Sequence, residues 1–387
     1  MKVGILTQTL HNNYGGLLQN YALQQTLIRQ GHTPCTIDHT RIDKVLWLKL
    51  EVSRVKARIY HLIFPKRCLG PDYVASKHEE SIISQNTNYF IDKYICRTKT
   101  ISSHKDFLHI AEDFGFQAYV VGSDQCWRPE YNRSFLKEMF LCFAEKQSDV
   151  KRVTYAASFG KDEWNLPLET KKECARLAKL FDFVTVREES GVSLCKEHLG
   201  VEAQHVLDPT MLLTKEDYIK LVEQEGELQS PGDLFYYILD PSQAKTKFVM
   251  DAANSMGLVP FTVMPKYPRG YRSKKNIKDN IGDCIYPSVT SWLRAFMDAK
   301  MTMVDSFHGM VFSIIFNKPF WVIGNAGRGM SRFTSLLKSF GLEDRLINID
   351  QPIGIYLKKI INWDSVNKQK EILSEKSKSL LKGALTN

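Results

Sequence analysis

Lys2-Val3-Gly4-Ile5-Leu6-Thr7, then His11-Asn12-Asn13-Tyr14-Gly15-Gly16, then Gln19 to Gln30, Gly31, and Thr33 to Asp38 together decide the fold class. The first hexapeptide is a short apolar run of the kind that makes a buried strand. Gln19 to Gln30 reads as a helix with Leu18, Tyr21, Ala22 and Leu27 on its apolar side, ended by Gly31, after which a strand resumes. Strand, loop, helix, strand is the opening unit of a doubly wound sheet. Gly15 and Gly16 then fall in the loop at the carboxyl edge of the sheet, where they let backbone approach a ligand closely; a plain turn is the other reading.

The same unit recurs along the chain. Gln117 to Val121 is a strand that runs into Gly122-Ser123-Asp124, and Val153 to Ser158 is another, ending at Ser158-Phe159-Gly160. A helix through Cys174 to Leu180 precedes the strand Phe183 to Val186, which delivers Arg187. Val206 to Thr210 closes this first sheet. The alternation then begins afresh with a strand Leu234 to Leu239, a helix Lys245 to Met256, a strand Val259 to Met264 and an amphipathic helix from Ser288 to Lys300. Met301 to Asp305 is a buried strand, and Ser306-Phe307-His308-Gly309 turns it into an apolar helix closed by Asn317-Lys318-Pro319. Trp321 to Ile323 is a further strand, with the glycine-rich exit loop Gly324 to Gly329 carrying Arg328. The last thirty residues make a helix or two.

Length points the same way, since 387 residues exceed one core of ordinary size and fit two domains. The expected architecture is therefore α/β, two Rossmann-like domains facing across a cleft, the arrangement called GT-B-like. The divisions are 1–208 with an insertion at 41–100, 209–355, and a helical segment 356–387. Hydrophobic content of 43% with 25% charged residues is that of a globular protein, and no apolar run approaches a membrane span. The N-terminus reads as a strand, not a signal peptide, and the scattered cysteines, without a Cys-x-x-Cys pair, read as thiols of a cytoplasmic protein. Cys195-x-x-His198 lacks a second ligand pair, so no metal is expected. A net charge of +9 favours an anionic partner: phosphate, nucleic acid or an acidic membrane surface. Nucleic acid is not expected, because no motif for it is present. Arg41 to Arg67 interleaves cations with Trp47, Leu48, Ile59, Tyr60 and Phe64, as a helix docking on an anionic membrane would, or an ordinary helix with a solvated basic face. Pro71 to Thr100 is polar and less regular.

Open α/β sheets bind ligands at the carboxyl ends of their strands. Asn12, Asn13 and Gly15, Ser123 and Asp124, Ser158, Arg187, and Ser306, His308 and Arg328 all fall at such ends. Asp305 or Ser306 can cap the following helix, leaving its first N–H groups to face an anion beside His308. His308 is otherwise a core or capping residue, and Arg187 either binds an anion or pairs with a glutamate.

Six stretches in order resemble the polysaccharide pyruvyl transferase family: Asn13 to Leu23, Val121 to Gln125, Tyr155 to Gly160, Arg187-Glu188-x-Ser190, Leu207 to Thr210, and Asp305 to Gly309. Gly16 stands where that family often has alanine, and Cys126 where valine is common. The resemblance implies transfer of the enolpyruvyl-derived unit of phosphoenolpyruvate onto two hydroxyls of a sugar, giving a cyclic pyruvate ketal and phosphate, in bacterial surface or capsular polysaccharide biosynthesis. It makes His308 an acid or phosphate partner, Asp124 a base or acceptor anchor, and Arg187 and Arg328 holders of the donor's anionic groups. Asn13, Gly15, Gly16, Ser123, Ser158 and Ser306 would line the substrates. Phosphoenolpyruvate enters as co-substrate, with no cofactor. The acceptor is expected to be lipid-linked and the enzyme cytoplasmic, peripheral at the inner membrane face. His308→Ala and Arg187→Ala are each expected to abolish phosphate release with the fold intact. A nucleotide-sugar glycosyltransferase is the alternative on the same architecture.

Overall fold

A computed structural model describes residues 1–40, 52, 75–132, 135–324, 329–356 and 360–386. Apart from Val52, the basic stretch 41–67 lies outside the described residues, as does Arg328.

Eleven strands are described: β1 Lys2–Leu6, β2 Thr33–Thr36, β3 Ala118–Val121, β4 Lys151–Thr154, β5 Thr185–Val186, β6 Gln204–His205, β7 Leu234–Tyr237, β8 Pro260–Phe261, β9 Met301–Val304, β10 Phe320–Ile323 and β11 Leu346–Ile347. They pair in parallel in the orders β2-β1-β3-β4 and β11-β10-β9-β7-β8. Single parallel bridges, Val153 to Phe183 and Ala157 to Val186, carry the first sheet on to the β5-β6 pair. Both sheets thus follow one plan, a first strand with its second on one side and its third on the other. The chain reverses direction across the sheet between β1 and β3, and again between β7 and β9. Loops leaving those strands splay apart there, which opens a crevice. The crevice loops are Thr7 to Asn13 and Gly122 to Gln125 in the first sheet, and Ile238 to Ser242 and Asp305 to Ser306 in the second.

Continuous apolar strands are what a sheet covered on both faces requires. Val3, Ile5, Val120 and Val153 pack on one face of the first sheet with Leu23 and Leu27 of the first helix, α1, Tyr14–Arg29. Leu381 and Leu385 join that cluster, because the C-terminal helix Trp363–Thr386 crosses back to the first sheet. There Ser377 Oγ accepts from Leu207 N at 3.1 Å. A second cluster binds the halves together: Tyr14, Leu17 and Leu18 of α1 pack with Trp292, Phe296, Met310 and Val311. Tyr14 stacks on Trp292, centroids 5.7 Å apart, and its hydroxyl donates to Pro287 O at 3.0 Å.

Three segments differ from the sequence expectation. α1 begins five residues earlier than Gln19, because the Asn13 carboxamide accepts from Gly16 N and caps it; Gly15 and Gly16 are its first turn, not loop. The polar stretch before Thr100 is not irregular. Ser76 forms a capping box with Glu79 that starts the helix Lys77–Ile83, and Gln85–Tyr94 follows. The strands flanking the helix Gln243–Met256 are shorter than expected, with β8 reduced to Pro260–Phe261 at the sheet edge.

Candidate active site

Helix α1 and the helix Phe307–Ile315 meet with their N-termini at the junction of the two sheets. Ser306 caps the second by accepting from Gly309 N at 3.0 Å. Asp305 does not cap: its carboxylate accepts from Leu239 N (2.6 Å), Asp240 N (3.2 Å) and Lys245 Nζ (2.7 Å), clamping the β7 exit to the β9 exit. His308 therefore projects from a fixed first turn toward α1. Contact there is so close that a Cβ on Gly15 would lie 2.2 Å from His308 Nδ1. Gly15 serves close approach, the role expected for it, but toward a side chain of the other half. Gly15→Ala is expected to tilt the imidazole and lower the rate of whatever reaction the site carries about 10²-fold, the cost of a misplacement near 1 Å. Steady-state kinetics beside an unchanged far-ultraviolet circular dichroism spectrum would check it.

Across from the imidazole lies a buried ion network. His308 Nε2 is 3.5 Å from Asp208 Oδ2, an ion-pair distance at which a hydrogen bond is not formed. The same oxygen accepts from Arg187 Nη1 at 2.9 Å and from Ser123 Oγ at 3.2 Å. Oδ1 accepts from the Thr210 amide and hydroxyl, at 3.1 and 2.7 Å. Arg187 Nη2 reaches Asp124 Oδ1 at 3.1 Å. Asp124 sits at φ 71°, a left-handed conformation uncommon for a residue with a side chain. The β1 and β3 exits are tied together by Gln19, which donates to Thr7 Oγ1 (2.9 Å) and accepts from Ser123 N (3.1 Å). Phe307 lies between two guanidiniums, Arg187 at 4.4 Å and Arg332 at 5.8 Å from its ring centre.

Electrostatics separate the roles. Burial would raise the Asp208 carboxyl, but His308 and Arg187 outweigh it and hold the group well below the usual carboxylate range. Asp124 is lowered too, burial again being outweighed, here by Arg187, His308 and Arg332. Arg187 is raised: burial opposes its charge, and Asp124 and Asp208 more than compensate. Arg332 is lowered to about 10, by burial first and then by Arg187. Because both aspartates have folded-state values below the unfolded one near pH 4, their contribution to stability is complete above about pH 4 and fades as pH falls through the folded-state values. Chemical unfolding should thus show that contribution declining as pH falls below about pH 4.

The structure brings His308, Asp124, Arg187, Ser123 and Gly15 together. Asn13, Gly16 and Ser306 shape the two helix starts, since a Cβ on Gly16 would meet Asn13 Nδ2 at 2.7 Å. Ser158 turns away from this group. Its hydroxyl donates to Glu188 Oε1 at 3.0 Å, and the same carboxylate oxygen accepts from Phe159 N at 2.8 Å. Arg187 bridges two buried carboxylates, so it organises the site and is not an open anion clamp. Three residues escaped sequence reading: Asp208, Glu188 and Arg332. The first two lie in the motifs Leu207 to Thr210 and Arg187 to Ser190, which were the available signal; Arg332 had none. Asp124, Asp208 and His308 do not offer a metal triad, because Arg187 stands between the carboxylates.

The two-sheet arrangement is shared with solved structures. UGT89C1 of Arabidopsis thaliana complexed with UDP-L-rhamnose aligns with TM-score 0.53 and 8% identity over 100% of this chain and 99% of that one. Its complex with UDP gives 0.51 and 8% over 100% of each. UDP-GlcNAc 2-epimerase from Methanocaldococcus jannaschii gives 0.49 and 13%, covering 97% and 93%. No curated protein matches the sequence. The fold, two Rossmann-like units with a site between their strand exits, is of the GT-B class. Within that class the chain belongs to the polysaccharide pyruvyl transferase family, whose pattern it matches over residues 13–327.

Proposed function

We propose that the protein transfers the enolpyruvyl-derived unit of phosphoenolpyruvate to two hydroxyls of a glycan sugar, forming a cyclic ketal. One acceptor hydroxyl adds across the enol double bond, its oxygen to the enol carbon and its proton, by way of His308, to the methylene; the second hydroxyl's oxygen displaces inorganic phosphate from the same carbon, its proton leaving with the phosphate. The observation that carries this reading is the placement of His308: on the first turn of a helix, against Gly15 of another, with Nε2 3.5 Å from a buried aspartate. His308 accepts the proton of the attacking hydroxyl, and Asp208 stabilises the imidazolium that results. Both helix N-termini and Arg332 attract the donor's carboxylate and phosphate.

The charge of the pocket suits the transition state as well. Among the described residues, two buried carboxylates, Asp124 and Asp208, hold Arg187 beside the His308 ring. Their ionised carboxylates stabilise an enol carbon that becomes oxocarbenium-like as the methylene is protonated. Asp124, held ionised and engaged by Arg187, anchors the acceptor and leaves the base role to His308.

For location, no helix among the described residues is long and apolar enough to cross a membrane. We place the enzyme at the inner membrane face in a bacterial surface polysaccharide pathway, its basic character drawing it toward an anionic surface and a lipid-linked acceptor. The test is release of inorganic phosphate from phosphoenolpyruvate in the presence of candidate glycans. Release that depends on the glycan is expected; absence of release with every pyruvylatable glycan, beside turnover of a nucleotide sugar, would overturn the reading.

A further inference from the structure

We propose that His104, Glu138 and Cys142 form a zinc-binding site that shares no residue with the His308 cluster. The three come from neighbouring turns of the first half. Ser103 caps the helix His104–Asp113, so His104 is its first residue. Glu138 begins one 3-10 turn, Glu138–Phe140, and Cys142 begins the next, Cys142–Ala144. Leu141 between them is left-handed, φ 58°, and this reversal brings the thiol back to the side of the carboxylate. His104 Nδ1 lies 3.0 Å from Glu138 Oε1 and 4.0 Å from Cys142 Sγ. One donor atom from each residue falls within 4.8 Å of the other two.

Zinc bonds of roughly 2.0–2.3 Å at tetrahedral angles put neighbouring donors about 3.3–3.7 Å apart. Closing the triangle therefore takes shifts of about 1 Å or less, and the His104 side chain, 54% exposed, is free to make them. The carboxylate supplies the motive. Glu138 is 6% exposed, set among buried Leu136, Met139, Phe140 and Phe143. Its hydrogen-bond partner among the described residues is His104, which carries charge only when protonated. A buried carboxylate with a conditional counter-ion is costly, and a divalent cation removes that cost. Mixed nitrogen, oxygen and sulfur donors select zinc over magnesium or calcium, which prefer all-oxygen shells. Three protein ligands with the histidine half in solvent leave the fourth position to water.

Bound zinc would brace the wall behind the reaction site. Met139 O, next to Glu138, accepts from Trp127 Nε1 at 3.1 Å; Trp127, three residues after Asp124, also donates its N–H to Ser158 O at 3.1 Å. The test is cobalt titration of full-length protein stripped with a chelator. We expect one equivalent of tetrahedral cobalt with a thiolate-to-metal band in the near ultraviolet, displaced by zinc. Cys142→Ser should abolish that band, His104→Ala should weaken retention against a chelator by at least about tenfold, and Cys96→Ser, which removes an exposed thiol elsewhere, should change neither. Zinc should also raise the thermal midpoint of the parent protein and not of Cys142→Ser. Absence of the band, its survival in Cys142→Ser, or its loss in Cys96→Ser overturns the assignment.

Discussion

Replacing His308 with alanine is expected to slow pyruvyl transfer by about 10²–10⁴-fold, the range for removing a positioned proton-transfer group. Structure should survive the change. The imidazole packs between the two helices, and its Nε2 makes no hydrogen bond among the described residues. Helix Phe307–Ile315 keeps its Ser306 cap, and the Asp305 clamp does not involve the ring. Asp208 loses the imidazole beside it and keeps Arg187, Ser123 and Thr210. Thermal unfolding of His308→Ala should therefore stay within a few degrees of the parent while the rate of phosphate release collapses. A large loss of stability alongside the lost rate would mean that His308 is chiefly a packing residue.

Arg187→Ala is expected to behave differently, and here the geometry revises what the sequence alone suggests. The guanidinium is enclosed, 1% exposed at the side chain, and bridges Asp124 and Asp208, themselves 8% and 0% exposed. Removing one member of a buried ion network leaves unpaired charges and typically costs about 3–5 kcal/mol. The variant should unfold at clearly lower denaturant, and its activity loss will be partly structural. Arg187→Lys retains the charge but not the two-pronged geometry, so it should regain stability and little activity. Urea unfolding of the three proteins, read beside their rates, separates the contributions. Near-parental stability of Arg187→Ala would contradict the network described above.

The contrast between these residues shows what the sequence displays and what it hides. Strand exits follow from local pattern: apolar runs ending in Gly122-Ser123-Asp124, Arg187 or Asp305-Ser306 announce a sheet edge, and they were read correctly as such. Partnership across the sheet does not follow from local pattern. Asp208 meets Ser123, Arg187 and His308, residues 85, 21 and 100 positions away, yet in sequence it is only a turn before Pro209. Sequence leaves Arg187 open between an anion clamp and a pair with a glutamate, because the two aspartates that hold it, Asp124 and Asp208, are distant in the chain. Arg332 lies in an ordinary amphipathic helix, Ser331–Phe340, and nothing in that local pattern shows that it comes to rest near Phe307 and Asp124. Local sequence reads Gly15 and Gly16 as a loop, close to a ligand or a plain turn. Here Asn13 starts the helix over them, and the missing Cβ of Gly15 admits His308.

These contacts make one chemical claim, that a proton passes through His308 as a glycan hydroxyl adds to the enol carbon of phosphoenolpyruvate. Mass spectrometry of lipid-linked glycans after incubation with the enzyme and phosphoenolpyruvate tests it most directly. The expected product is the glycan carrying one pyruvate ketal, formed by the parent protein and not by His308→Ala. A glycan left unmodified by phosphoenolpyruvate but extended by a sugar from a nucleotide donor, or a ketal formed equally well without His308, would contradict it.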